Sequence, residues 1–235
     1  MRRVARLGAL AATLAAALAV AAPAGGANEC DGLIVCVRVA GPWVVVPTSG
    51  GVPRPEVEYQ LTCPRRFVVG GLDAELSHRA IDVSFLGTLG SPVNPGITTS
   101  RSAVFAASYV GGSARPPTFR PHIGCMPAAG DGVRIPTAVT AFPPGRPTIR
   151  RVRTVRVRPG TATITQGCAA RERLVGASHA FGFFTRKPPS ASLVSSVTGL
   201  RLVRDARVVV RVRGDAELGG VHAVVQVHAV CSRAL

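Results

Sequence analysis

The chain of 235 residues is short of several things at once: one lysine, Lys187, one tryptophan, Trp43, two tyrosines, two methionines and only 12 acidic residues. Each shortage excludes something. So few aromatics, and none within the arginine-rich segments, leave no platform on which bases of single-stranded nucleic acid could stack, so nucleic acid is a less favoured partner than other polyanions. Among the acids, Asp73, Glu75 and Asp82 in the first half and Asp205, Asp215 and Glu217 in the second fall near turns or on outward strand positions and suggest no paired-carboxylate glycosidase centre. No H-E-x-x-H, no cysteine pair at zinc spacing, no calcium loop and no glycine-rich phosphate loop leading into a helix occurs, so no metal and no cofactor is expected. Beyond the first two dozen residues there is no apolar run of ~20, hence no expected transmembrane segment.

What the sequence does have begins with Arg2, Arg3 and Arg6, an alanine and leucine run from Leu7 to Ala22, and Ala22-Pro23-Ala24 as a small-residue cleavage site. Residues 1–24 therefore read as a cleaved signal peptide, and the mature chain as secreted, extracellular or associated with the cell envelope. Cys30 follows Asn28-Glu29 rather than small residues, which argues against a lipid anchor.

Six cysteines in an exported chain read as three disulfides. Their placement repeats: Cys63 and Cys125 lie 62 apart, Cys168 and Cys231 lie 63 apart, and Val69-Gly70-Gly71 maps on Val175-Gly176-Ala177 at the same offset of 106 that carries Cys125 to Cys231. An internal duplication follows, and it selects the pairings Cys63 with Cys125 and Cys168 with Cys231, leaving Cys30 for Cys36. Length and repeat divide the mature chain into a first domain over 28–130 and a second over 131–235.

Apolar spacing is two throughout. Val57, Tyr59, Leu61 and Cys63 alternate with Glu56, Glu58, Gln60 and Thr62; Val221, Ala223, Val225, Val227, Ala229 and Cys231 oppose His222, Gln226 and His228. Leu33 to Val46 reads as two short strands broken at Gly41-Pro42. With Pro and Gly recurring and no period of 3.6, the fold class is all-β: two tandem antiparallel β-sandwiches with no convincing helix. An immunoglobulin comparison fails, since the strand after the first cysteine carries no tryptophan and Ile123 and Ala229 stand where the corner tyrosine belongs. Cys63-Pro64 with Val69-Gly70-Gly71, and Leu174-Val175-Gly176 with Cys231, resemble uncharacterised secreted β-repeat modules of high-GC bacteria with a C-P-x-G, V-x-G-G, C pattern. The sequence departs from it at Arg66 and Ala177. The resemblance implies export and β structure and carries no activity.

Gly176-Ala177-Ser178-His179-Ala180 is similar to a nucleophile elbow, but Phe181-Gly182-Phe183-Phe184 and Pro188-Pro189 cannot supply the helix that must follow it. Ser77-His78 repeats the dipeptide, which suggests a shared structural turn. His122 and His228 occupy equivalent outward positions, expected to be solvated or covered by a loop. His222 and His228, six strand residues apart, stand about 20 Å from each other, too far to share an ion.

The charge is unevenly placed: 25–145 carries 9 arginines against 8 acids, whereas 146–235 carries 16 basic residues against 4 acids. The basic half holds the candidate polyanion-binding residues Arg150, Arg151, Arg153, Arg156, Arg158, Arg207, Arg211 and Arg213. In the first group a bulge at Thr154-Val155 would keep Arg151, Arg153, Arg156 and Arg158 on one face; in the second, Val208, Val210 and Val212 face inward and the arginines outward. Guanidinium forks suit phosphate or carboxylate. Against this stands a plain role in keeping strand edges soluble. The expected function is a non-enzymatic structural or binding protein whose second domain takes anionic envelope polymers or lipid headgroups. The competing readings are an enzyme with a scattered site, marked by a pocket gathering His, Asp and Ser, and an adhesion or inhibitor module using apolar loops near Trp43, marked by an exposed aromatic patch.

Overall fold

The computed structural model describes residues 27–48, 54–87, 100–112, 115–128 and 148–233. The signal segment 1–24 and the division near Gly130 lie outside them. Thirteen strands follow one another in the described residues: β1 (Val37–Ala40), β2 (Trp43–Val45), β3 (Glu56–Thr62), β4 (Phe67–Leu76), β5 (Ile81–Gly87), β6 (Ser102–Tyr109), β7 (Thr118–Pro127), β8 (Thr148–Val157), β9 (Gly160–Gly167), β10 (Glu172–Phe183), β11 (Val197–Arg204), β12 (Arg207–Gly214) and β13 (Ala223–Arg233). Every strand pair is antiparallel. The described residues are all-β apart from two single turns of helix that the spacing did not reveal. One is α1 (Ala191–Ser195), started by the Ser190 hydroxyl accepting from the Leu193 N–H; the other is a 3-10 turn over Ala216–Gly220, started in the same way by Asp215.

The alternating strands bury the predicted faces. Val57, Tyr59 and Leu61 of β3 pack with Val69, Leu72, Phe105, Phe119 and Ile123 in one core. Val208, Val210 and Val212 of β12 pack with Ile164, Val225, Val227 and Ala229 in another. Around each core the same arrangement recurs: the sheet β3-β6-β5 faces β4-β7-β1, and β9-β12-β11 faces β10-β13-β8. A disulfide runs across each core, Cys63 to Cys125 and Cys168 to Cys231, and the third joins Cys30 to Cys36, as the sequence predicts.

The likeness extends to backbone detail. Arg66 and Arg171 both take a left-handed φ, 67° and 66°, in the turn after the first cysteine of each pair. The Cys63 N–H donates to the Arg101 carbonyl and the Cys168 N–H to that of Ala206. The irregularities in β4 and β10 fall at Val69/Gly71 and at Leu174/Gly176. Cys63, Arg66, Val69 and Arg101 thus correspond to Cys168, Arg171, Leu174 and Ala206 at a spacing of 105. The spacing is 106 along β7 and β13, where Ile123, Gly124 and Cys125 correspond to Ala229, Val230 and Cys231, and Val69 answers to Leu174 rather than to Val175.

The two halves share a sheet. β2 pairs with β7 through Val44 and Phe119, and with β10 through Trp43 and Phe183, so one seven-stranded sheet crosses from half to half. At that crossing Gly182 is required by close approach, because a Cβ there would meet the Pro42 ring at 2.5 Å. Trp43 is buried in this seam.

Candidate functional site

The sheet β9-β12-β11 turns one face to its core and the other to solvent. Antiparallel register fixes which side chains stand abreast on the solvent face: Thr161, Arg213 and Thr198 in one row, then Thr163, Arg211 and Leu200, then Thr165, Val209 and Leu202, then Gly167, Arg207 and Arg204. Arg204, Arg207, Arg211 and Arg213 are exposed and have no carboxylate partner among the described residues. Along β12 the arginines at 211 and 213 stand about 7 Å apart and those at 207 and 211 about 13 Å. A shallow cleft of about 310 Å³ opens on this face between Thr161, Thr198, Leu200, Arg211 and Arg213. Among the described residues no acid occupies the face: Asp205 sits in the turn at one end, and Asp215 lies past the other end, where its carboxylate accepts from the Glu217 N–H at 2.9 Å.

The strand β8 behaves differently from its expected form. It pairs with β13 from Thr148 to Val157 with no shift of register, so there is no bulge at Thr154-Val155. Without the bulge Arg151 and Arg153 share one face, and Arg150 and Arg156 the other. A bulge was not needed because the even face is itself covered at Arg150. That side chain is 5% exposed and forks onto Glu58 of the first half at 2.6 and 2.8 Å. Arg151 forks onto Glu172, and Arg153 donates to the Thr165 carbonyl at 3.2 Å. Arg156 and Arg158 are exposed. Of the eight candidate arginines, then, the structure brings Arg207, Arg211 and Arg213 together on one open face, turns Arg150 inward and commits Arg151 to a carboxylate.

The partner of Arg150 belongs to a polar seam that sequence reasoning missed. The outward residues of β3 lie against the outward residues of β8, β10 and β13, so two faces that both read as solvated cover each other. Glu58 also accepts from the Ser178 hydroxyl at 2.6 Å. An Arg150 N–H lies 3.1 Å from His228 Nδ1, and His228 Nε2 lies 2.7 Å from Gln226 Oε1. Because arginine can only donate, Nδ1 accepts and Nε2 carries the proton, which is the neutral imidazole. Burial, reinforced by the Arg150 charge and only partly opposed by Glu58, brings His228 down to about 4. Burial pushes Glu58 up, but the Arg150 fork and the Ser178 hydroxyl outweigh it and hold the carboxyl below its ordinary value. Gln226 completes the seam: its amide accepts from the Gln60 N–H at 2.6 Å and donates to the Gln60 carbonyl at 3.1 Å, pairing with the backbone of β3 as a neighbouring strand would.

The histidines expected to be solvated or covered are both covered. His228 lies under β3, and His122 lies under the segment around Glu29, 3.0 Å from Glu75 and 3.8 Å from Glu29. Ser178-His179 stands in the middle of β10, whereas Ser77-His78 follows the end of β4, so the two dipeptides do not share a turn. Ser178 hydrogen-bonds Glu58 rather than a histidine. A cleft of about 720 Å³ is lined by Ser77, His78, Arg115, Lys187 and prolines 116, 117, 188 and 189. Within it the Ser77 hydroxyl accepts from the Thr118 N–H and His78 Nδ1 accepts from the Ala80 N–H, so both hold local backbone. Cys168, Cys231 and Glu172 gather closely enough to suggest a metal, but both sulfurs are consumed in a disulfide.

No protein-family model matches the chain, no curated protein matches it, and no solved structure matches it. The site itself therefore carries the functional reading.

Proposed function

We propose that the protein is an exported, non-enzymatic binding protein that takes anionic polymers on the solvent face of β9-β12-β11. The observation that supports this is the in-register cluster of Arg204, Arg207, Arg211 and Arg213, exposed, flanked by threonine hydroxyls and free of acids on its own face. A face meant only to keep the sheet soluble would be served as well by mixed charges, whereas one sign alone raises the local concentration of a polyanion. Three disulfides suit an oxidising compartment outside the cytoplasm. The repeated arrangement of the two halves supports an origin in duplication, after which this face became basic in the second half. An envelope polymer bearing phosphate or carboxylate groups fits the linear spacing on β12, and anionic lipid headgroups share its chemistry.

The test is binding of the intact mature chain to long-chain polyphosphate, to a polyuronate and to anionic vesicles across a salt series. Substituting Arg207, Arg211 and Arg213 together by Ser should lower the slope of log affinity against log salt by about two to three, since each lost phosphate contact removes ~0.7–0.9 of slope. Substituting Arg150 should leave the slope unchanged. Equal slopes for the triple variant and the parent would remove this face as the binding surface.

A further inference from the structure

β11 is the outer strand of its sheet, and it differs from the other edges of its half. The edge strand β8 carries four arginines, and β9 is bridged to β8 by the Arg153 contact with the Thr165 carbonyl. β11 instead shows Leu200 and Val203, each more than half exposed. Among the described residues no strand pairs with its outer side, and an apolar edge of this kind is a ready template for another strand.

The hydrogen-bonding phase of that edge can be read from its pairing with β12. The Ser196 carbonyl accepts from the Asp215 N–H, and a two-residue turn closes the hairpin between Arg204 and Arg207. In an antiparallel ladder the residues that bond a given neighbour alternate, so even-numbered residues from 196 to 204 bond β12. Val197, Gly199, Arg201 and Val203 then present their N–H and C=O groups to the open side. Those four positions are symmetric about Leu200.

We infer that β11 pairs antiparallel with β11 of a second copy of this chain, on a two-fold axis through Leu200. In this register Val197 meets Val203 of the partner and Gly199 meets Arg201, so all four open backbone positions are used, giving about eight hydrogen bonds. Leu200 meets Leu200 at a non-hydrogen-bonded site, where side chains lie closest. Thr198 meets Leu202. No arginine opposes an arginine: Arg201 stands across from glycine, with its guanidinium drawn back to the Ala177 carbonyl of its own chain at 2.6 Å, and Arg204 falls opposite Ser196. Centring the pair on Arg201 would set like charges face to face, and centring it on Gly199 or Leu202 would leave open backbone groups without partners within the strand. The second copy is favoured as occupant because one register satisfies the backbone, the apolar side chains and the charges together.

The pairing makes one six-stranded sheet. Both arginine faces then lie on the same side, with the two β12 strands about 14 Å apart. This consequence rests on the polyanion reading, while the pairing itself does not.

The intact mature protein carrying Leu200→Cys tests the register. Mild oxidation should produce covalent dimer, with Thr198→Cys or Leu202→Cys alone forming it at least about tenfold more slowly, because each opposes the other rather than itself. An equal mixture of the Thr198→Cys and Leu202→Cys chains should restore fast coupling. Sedimentation of the parent protein, which contains no added thiol, should show reversible dimer, and the exposed substitution Leu200→Lys should abolish it with an unchanged circular dichroism spectrum. Equal coupling at 198, 200 and 202, a parent that stays monomeric at all concentrations, or a Leu200→Lys variant that still dimerises would each overturn the pairing. Sedimentation of the variant with Arg207, Arg211 and Arg213 replaced by Ser, which alters no residue of β11, reports on the pairing apart from polyphosphate binding, so failure of one reading is distinguishable from failure of the other.

Discussion

Replacing Glu58 by Gln tests whether the polar seam holds the two halves together. The Arg150 side chain is 5% exposed and that of Glu58 18% exposed, and among the described residues Glu58 is the only carboxylate paired with this guanidinium. The substitution conserves shape and lets Ser178 keep an acceptor, but it removes the countercharge and turns an amide N–H₂ toward an arginine that can only donate. Removing one partner of a fully buried pair costs 3–5 kcal/mol; with Glu58 partly exposed the lower end applies, so the expected loss is about 3 kcal/mol. For a chain of this size that corresponds to a fall in Tm of roughly 6–12 °C. Urea denaturation with the disulfides intact measures it, and Ser178→Ala, which removes one hydrogen bond to the same carboxylate, should cost only about 1 kcal/mol. The decisive comparison is Glu58→Gln combined with Arg150→Met: the double variant has no orphaned charge and should recover part of the stability lost by Glu58→Gln alone. A loss below about 1 kcal/mol for the single variant, or no recovery in the double, would refute the seam as a source of cohesion.

Stability should also fall on acidification in a window set by His228. Its folded value of about 4 lies below the ordinary ~6.5 of the unfolded chain, so between these values the unfolded state takes up a proton that the folded state refuses. The stabilisation is full above pH ~6.5 and declines toward pH 4 by up to roughly 3 kcal/mol; urea midpoints at descending pH should show the slope, and His228→Gln should flatten it. At the other histidine, a Cβ added at Gly71 or Gly124 would run into the Glu29 backbone carbonyl, which cannot yield as a flexible side chain would. Gly71→Ala should therefore cost about 1–3 kcal/mol and lift the segment around Glu29, read as faster hydrogen exchange over residues 28–36 with the second half unaffected.

The all-β class, the three disulfides and the core residues were legible because they depend on local alternation and on a repeat that the cysteines mark. Val57, Tyr59 and Leu61 announce their face by the residues between them, and so do Val208, Val210 and Val212. The seam was hidden by the same rule. Glu58 and Gln60 on β3, and Ser178, Gln226 and His228 on the opposing sheet, are the polar halves of alternating strands, and polarity alone cannot distinguish a face that meets water from one that meets another polar face. Glu58 and Ser178 are 120 residues apart, and no local signal links them. The crossing strand β2 was foreseen as a strand, but three residues carry no information about having partners on both sides.

The same reasoning decides how the excess of positive charge should be read. The second half is basic by composition, yet Arg150 and Arg151 are neutralised by Glu58 and Glu172, and Arg153 and Arg201 are spent on the carbonyls of Thr165 and Ala177. Charge paired with a carboxylate contributes little to long-range attraction, and a guanidinium held on a carbonyl keeps its charge but has fewer N–H groups to fork onto a ligand, so the count of arginines overstates the groups that a ligand meets. What remains concentrated is Arg204, Arg207, Arg211 and Arg213, all from one hairpin with a two-residue turn. A hairpin fixes its own register, so neighbours across it are set by sequence alone. That register adds Arg204 to the set; Arg207, Arg211 and Arg213 were already identifiable as one outward group because they alternate with Val208, Val210 and Val212 along a single strand, whereas the grouping of Arg151, Arg153, Arg156 and Arg158 depended on a bulge that the pairing with β13 does not contain.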